Sequence, residues 1–152
     1  MVTSKRIPTL IAAISLLGLL VAGCGSDDSL TKAEFIQQGD VICQKVEREK
    51  QVAIEETLAK AGVSPGNPLS AKEQEDFVTD AILPPIRKAV DELNDLGVPD
   101  EPQAESIMEG AEDVVSNAEE DPAILASVKE NPFTEVAKEA KQYGFKTCFV
   151  YY

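Results

Sequence analysis

The chain has 152 residues, with 27 acidic against 14 basic side chains and a net charge of −13. That balance argues against nucleic acid as a partner and against an electrostatic grip on anionic lipid; it fits a cationic partner, a cation, or solubility. Histidine and tryptophan are absent, which removes the usual imidazole base, metal ligand and pH switch and an aromatic on which carbohydrate platforms often rely.

Lys5 and Arg6 are the only charged residues before Asp27, and an apolar run from Ile7 to Ala22 follows them. A basic start, an apolar middle and a small-residue exit describe a secretory signal peptide. The run is at the short end for a membrane span, which takes about 20 apolar residues. It closes on Val21-Ala22-Gly23-Cys24, which resembles the lipobox of bacterial lipoproteins. That resemblance implies diacylglyceryl attachment at Cys24 through a thioether and cleavage before it. The alternatives are an ordinary signal peptide with an incidental cysteine, or an uncleaved anchor. Two or more acyl chains hold a protein stably at a bilayer where one is marginal. The expected layout is a signal peptide over 1–23, a lipidated tether over 24–30 and a helical domain over 31–152.

Removing residues 1–23 leaves 129 residues with a charge of −15, one domain's length. With Cys24 taken by lipid, Cys43 and Cys148 remain as an even pair, which outside the cytoplasm reads as a disulfide. The competing reading, two free thiols for redox or metal chemistry, has neither a neighbouring histidine nor a Cys-x-x-Cys spacing to support it.

The tether Gly25-Ser26-Asp27-Asp28-Ser29-Leu30 reaches at most about 20 Å, so the domain stays near the membrane. Thr31 to Glu34 has the spacing of a capping box. Behind it Phe35, Gly39, Ile42, Val46 and Ala53 form an apolar stripe that Ile36, Cys43, Ile54, Leu58 and Ala61 widen; charged residues fill the other face from Glu47 to Lys60, and Gly62 is the expected C-cap. Residues 63–69 read as a loop. A second capping box begins at Ser70, and the helix it opens carries two apolar faces. Phe77, Val78 and Ala81 make the first; Ile86, Ala89, Val90, Leu93 and Leu96 make the second, rotated from it by about 100° in a straight helix. Pro84-Pro85 lies between them, so a kink or break is expected there.

Gly97 and Pro99 end that helix, and Asp100 is the expected cap of the next, whose apolar face runs from Ala104 to Ala118. Asp121-Pro122 and Asn131-Pro132 are two further starts. They open a short helix with Ile124, Leu125 and Val128, then a last one with Phe133, Val136, Ala137, Ala140 and Tyr143. The fold class this predicts is all-α: an antiparallel bundle of about four helices with a Pro-Pro break in the second, closed by one disulfide.

Leu30-Thr31-Lys32-Ala33-Glu34-Phe35-Ile36, with Asp40 and Ile42-Cys43, resembles the start of small secreted lipoproteins of actinobacteria. So do Leu83-Pro84-Pro85-Ile86 in the middle, Pro132-Phe133, and Tyr143-Gly144-Phe145-Lys146-Thr147-Cys148 near the end. Members of that family carry a glycine soon after the last cysteine, where this chain has Phe149. The resemblance implies an exported, disulfide-closed helical fold and no particular activity.

Catalytic chemistry finds little to stand on. Serines lack a histidine partner and a Gly-x-Ser-x-Gly turn, no phosphate loop or dinucleotide fingerprint is present, and the acidic face of 101–121 lacks a calcium-loop pattern. The expectation is a non-enzymatic binding or interaction module, lipid-anchored through Cys24 at the extracytoplasmic face of the cell membrane, with no cofactor or metal. Its partner would be an envelope protein or a cationic molecule. The alternative is a small-ligand or ion carrier with a pocket at Pro84-Pro85. The aromatic cluster of Phe145, Phe149, Tyr151 and Tyr152 is read as a cover for the disulfide, with an exposed docking patch as the competing role.

Overall fold

The computed structural model describes residues 30–63, 69–126 and 131–149. Cys24 and the signal segment, and with them the expected anchor and most of the tether, lie outside the described residues, as do Val128, Tyr151 and Tyr152. Among the described residues, six α-helices and one π-helical segment follow in order: α1 (Lys32–Ala61), α2 (Ala71–Phe77), the π-helical segment (Val78–Ile82), α3 (Leu83–Asp95), α4 (Pro102–Glu120), α5 (Ala123–Ala126) and α6 (Thr134–Tyr143). No strand occurs among the described residues, and none of these helices is long and apolar enough to cross a membrane. The fold is an all-α bundle closed by the Cys43–Cys148 disulfide.

Local chemistry sets where the long helices begin. At Thr31 the backbone N–H donates to Glu34 Oε2 at 3.0 Å, and the Glu34 N–H donates back to Thr31 Oγ1 at 3.4 Å. Ser70 and Glu73 repeat the box at 2.8 and 3.4 Å. Each box satisfies amide donors that a helix start leaves without an intrahelical partner. Gly62 takes the left-handed conformation, φ 64°, that ends α1, and its N–H bonds back to the Leu58 carbonyl.

Asp100 does not cap α4. The Glu101 N–H turns back to the Pro99 carbonyl at 2.7 Å, which makes Glu101 the N-cap position, without a side-chain bond, and puts Pro102 in the first turn. Asn131 organises the start of α6 from two residues before the N-cap position, Phe133. Its Oδ1 accepts the Phe133 N–H at 2.9 Å and its carbonyl accepts the Thr134 N–H at 3.1 Å.

The prolines are absorbed without the chain leaving the helix. Pro84 and Pro85 bring no amide, and a proline ring clashes with the carbonyl four residues back. The turn before them widens instead: the Leu83 N–H donates to the Val78 carbonyl, five residues back. Closing a turn over five residues inserts one residue, worth about 100° of rotation. That insertion cancels the offset between the two apolar faces. Val78, Ala81, Leu83, Ile86, Ala89, Val90 and Leu93 are all buried.

In the bundle α1 packs on α3 and the π-helical segment, α3 on α4, and α4 on α6. Ion pairs give the α1/α3 register: Lys45 meets Glu92 at 3.0 Å, and Glu49, one turn on, meets Lys88 at 2.6 Å, one turn back. The helices are therefore antiparallel. Lys50, expected on the charged face, is buried with 6% of its surface exposed. It stands one turn after Val46 on the apolar stripe, so its stem covers core while its ammonium pairs with Glu47 at 2.6 Å.

Candidate functional site

Two places in the fold gather the residues that the sequence singles out. The first is a groove of about 430 Å³ beside the π-helical segment, with Thr79, Leu83 and Pro84 at one end and Asp91 and Asp95 towards the other. The wide turn positions it, because the register reset sends Leu83 inward while Pro84 stays exposed.

Arg87 crosses this groove, but its charge is already spoken for. Its Nε and Nη2 donate to the two carboxylate oxygens of Glu119 at 2.9 and 2.6 Å, and Nη1 donates to Glu112 Oε1 at 2.9 Å. The fork-on-carboxylate geometry is the strong form of the pair. It pushes the guanidinium pKa further up and holds the Glu119 carboxyl below its usual range, in each case chiefly through their hydrogen bond. Lys88 is pinned to Glu49. With both cations engaged, Asp91 and Asp95 leave that end of the groove electronegative, against the apolar wall of Leu83 and Pro84.

On the acidic face of 101–121, Glu112 and Glu119 serve Arg87, and Ser106 donates to Glu139 of α6 at 3.0 Å. A second groove of about 390 Å³ runs past Asn94, Glu105, Met108, Glu109 and Glu112. No group of three or more acidic or cysteine side chains is placed to hold a metal ion among the described residues.

The second gathering place joins the two ends of the domain. Asp40 on α1 accepts the Lys146 N–H at 3.1 Å and the Thr147 N–H at 2.9 Å, and the Thr147 hydroxyl donates to the same carboxylate at 2.7 Å. One residue earlier, Gly39 gives Phe145 room: a Cβ there would stand 2.7 Å from the ring. One turn later, Cys43 bonds to Cys148. Phe145 meets Phe35 edge-on at 5.7 Å and Tyr143 at 5.9 Å, while Lys32 lies over the Tyr143 ring at 4.0 Å.

Phe149 takes a φ of 59°, the left-handed conformation in which glycine is at ease and a bulky residue is strained. Its ring stacks on Phe133 at 6.2 Å and is 1% exposed. Phe145 and Phe149 are thus interior packing next to a buried disulfide, the covering role. Nearly all the motif-like residues of both ends meet here, and what they do is hold the chain closed.

Burial, then the nearby Glu101 charge and a weak hydrogen bond to Glu101, push the Tyr143 phenol up to about 12. Asp40 and Gly39 carried no local signal of a latch, since their partners lie more than 100 residues away. Comparison with protein-family models, curated proteins and solved structures finds no match.

Proposed function

We propose that this chain is a lipoprotein held by acyl chains on Cys24 at the extracytoplasmic face of the cell membrane. Its helical domain acts there as a non-enzymatic binding or interaction module. The observation that carries the reading is the use of the three cysteines. Two are bridged inside the fold, as suits an oxidising compartment, and the third stands directly after Val21-Ala22-Gly23 at the end of an apolar run. The described fold begins at Leu30, six residues on, so the domain rides close to the bilayer. The motifs shared with small secreted lipoproteins of actinobacteria support the same assignment. An envelope protein or a cationic molecule is the partner that the acidic surface fits.

Metabolic labelling with palmitate tests the anchor. Wild type is expected to carry label and to fractionate with membranes, and Cys24→Ala to lose both; equal labelling of the two would sink the reading.

The groove beside Pro84 favours a second role, carriage of a small cationic ligand against Asp91 and Asp95. Calorimetric titration with small organic amines is expected to give binding that Asp91→Asn and Asp95→Asn abolish. Heats that do not change in the variants would remove this role and leave the interaction module standing.

A further inference from the structure

Asp40 stands one turn before Cys43 on α1, and the two amides it holds belong to the two residues just before Cys148. The latch therefore borders the bridge on both of the segments that the bridge joins. A single oxygen carries most of it: Asp40 Oδ1 accepts the Lys146 N–H, the Thr147 N–H and the Thr147 hydroxyl, while Oδ2 shares the Lys146 N–H at 3.2 Å. Hydrogen bonds to an ionised carboxylate are the stronger kind.

Residues 144–149 need such a hold. Helix α6 ends at Tyr143, and the segment after it runs back along α1, past Gly39, to Cys43. Phe149 closes it in a left-handed conformation, φ 59°, which costs a bulky residue free energy. Both sulfurs are buried, and Cys148 is the one that the segment carries to α1.

From this geometry we propose that Asp40 is the positioning residue for closure of the bridge. It docks residues 146 and 147 on α1 without help from the S–S bond and so presents Cys148 as the resolving thiol. The oxidation is a thiol–disulfide exchange. With the segment lifted from α1, Cys43 is uncovered, and its thiolate attacks a disulfide oxidant to form a mixed disulfide and release one oxidant thiol. Docking on Asp40 then brings the Cys148 thiolate to Cys43 Sγ. That attack forms the Cys43–Cys148 bond and releases the second oxidant thiol. Two electrons pass to the oxidant, and the two cysteine protons end on its sulfurs. The substrate of the oxidation is thus a chain whose helices have already packed.

The test uses the full-length protein equilibrated with reduced and oxidised glutathione, the bridged fraction being read by mass on the alkylated Cys43 and Cys148 peptides. Asp40→Ala is expected to lower the equilibrium constant for closure about tenfold. Asp40→Asn keeps an Oδ1 in place and should recover part of that loss. Val78→Ala, a buried position outside the core cluster that holds both cysteines, weakens the fold yet should leave the constant unchanged. Hydrogen exchange at Lys146 and Thr147 is then measured in a chain with Cys43→Ala and Cys148→Ala. Alanine is chosen because a serine hydroxyl at 148 would reach the Gly39 carbonyl, 3.1 Å from Cys148 Sγ. Both amides are expected to stay protected there and to lose protection when Asp40→Ala is added. A constant that Asp40→Ala leaves unchanged, or that Val78→Ala lowers as much, overturns the inference. So do unprotected amides in the alanine pair, and so does an alanine pair that circular dichroism shows to be unfolded.

Discussion

Between Phe35 and Lys50, α1 turns a buried residue inward every three or four positions; from Gln51 to Ala61 it buries none completely. The near half is held by the disulfide, the Asp40 latch and five aromatic rings. The far half, where Ala53, Ile54, Thr57 and Leu58 are only half-buried, packs near the π-helical segment, and α2 beyond it buries no residue. One helix thus serves two purposes along its length. Stability is concentrated where the two ends of the domain meet, and the far half presents surface. Regions with few buried apolar contacts open locally at low cost, while tightly packed ones open only with the whole fold.

The disulfide gives the largest effect by which this contrast can be broken. Its cysteines are 105 residues apart, and closing a loop of that size stabilises by about 4–5 kcal/mol in the chain-entropy model. Replacing both cysteines with serine is expected to lower unfolding free energy by that amount in urea titrations. A loss below about 1 kcal/mol would mean that the near half is not the seat of stability.

Gly39→Ala comes next. Alanine gains up to about 1 kcal/mol over glycine in a helix, yet its Cβ would lie 2.7 Å from Phe145 and 2.9 Å from Leu93. Phe145 has little freedom to retreat, being packed by Phe35 and Tyr143 and tied at Lys146 and Thr147. Overpacking costs about 1–3 kcal/mol, so the net expectation is a loss of up to about 2 kcal/mol. Gly110→Ala is the comparison: its Cβ meets only the Val136 methyl at 3.1 Å, and the substitution should be neutral or stabilising.

What could be read in the sequence follows the same division between local and distant causes. The capping boxes at Thr31 and Ser70 and the Gly62 terminus depend on residues within one or two turns, and the sequence expectation matches the structure at each. The disulfide followed from counting cysteines. At Pro84-Pro85 the sequence exposed the problem, a 100° rotation between apolar faces, while its solution required knowing that both faces pack on the same neighbours. Lys50 was assigned to solvent because of its charge, although its position one turn from Val46 placed it inside. The latch was not legible, because an aspartate on a helix carries no mark of amides 106 and 107 residues away. Asp100 misled for the opposite reason, its local pattern being overridden by the turn at Pro99.

A pH titration in alkali probes the near half at one atom. The Tyr143 phenol is raised to about 12, mainly by burial and then by Glu101, against an unfolded value near 10. The folded state therefore keeps a proton that the unfolded state gives up between those values, so stability falls as pH rises through that window. At pH 11 the expected loss is about 1 kcal/mol. Tyr143→Phe should remove the part of this alkaline limb that Tyr143 contributes, and at neutral pH it should cost less than about 1 kcal/mol, the most a weak hydrogen bond to Glu101 would contribute. An unchanged limb in the variant would place its origin elsewhere.

The smallest effect is the sharpest comparison, because the same device occurs at both regions. Thr31→Ala and Ser70→Ala each remove one side of a capping box, which costs about 1 kcal/mol wherever the helix start is coupled to the fold. Thr31 starts the helix one turn from Phe35, so its loss should lower global stability by that amount. Ser70 starts α2, which buries nothing, so its loss should leave the global midpoint almost unmoved and speed hydrogen exchange at Glu73 and Gln74. Acid gives an independent check on both caps. Hydrogen bonds from Thr31 and Ser70 hold the Glu34 and Glu73 carboxyls below their usual range. Their stabilisation is complete above the ordinary carboxylate value and is lost as pH falls through the lowered folded one. Exchange at the start of α2 should therefore rise in acid without global unfolding, while the start of α1 stays protected by the packing beside it. If both starts fray alike, the far half is tied to the core as firmly as the near half, and the contrast along α1 fails.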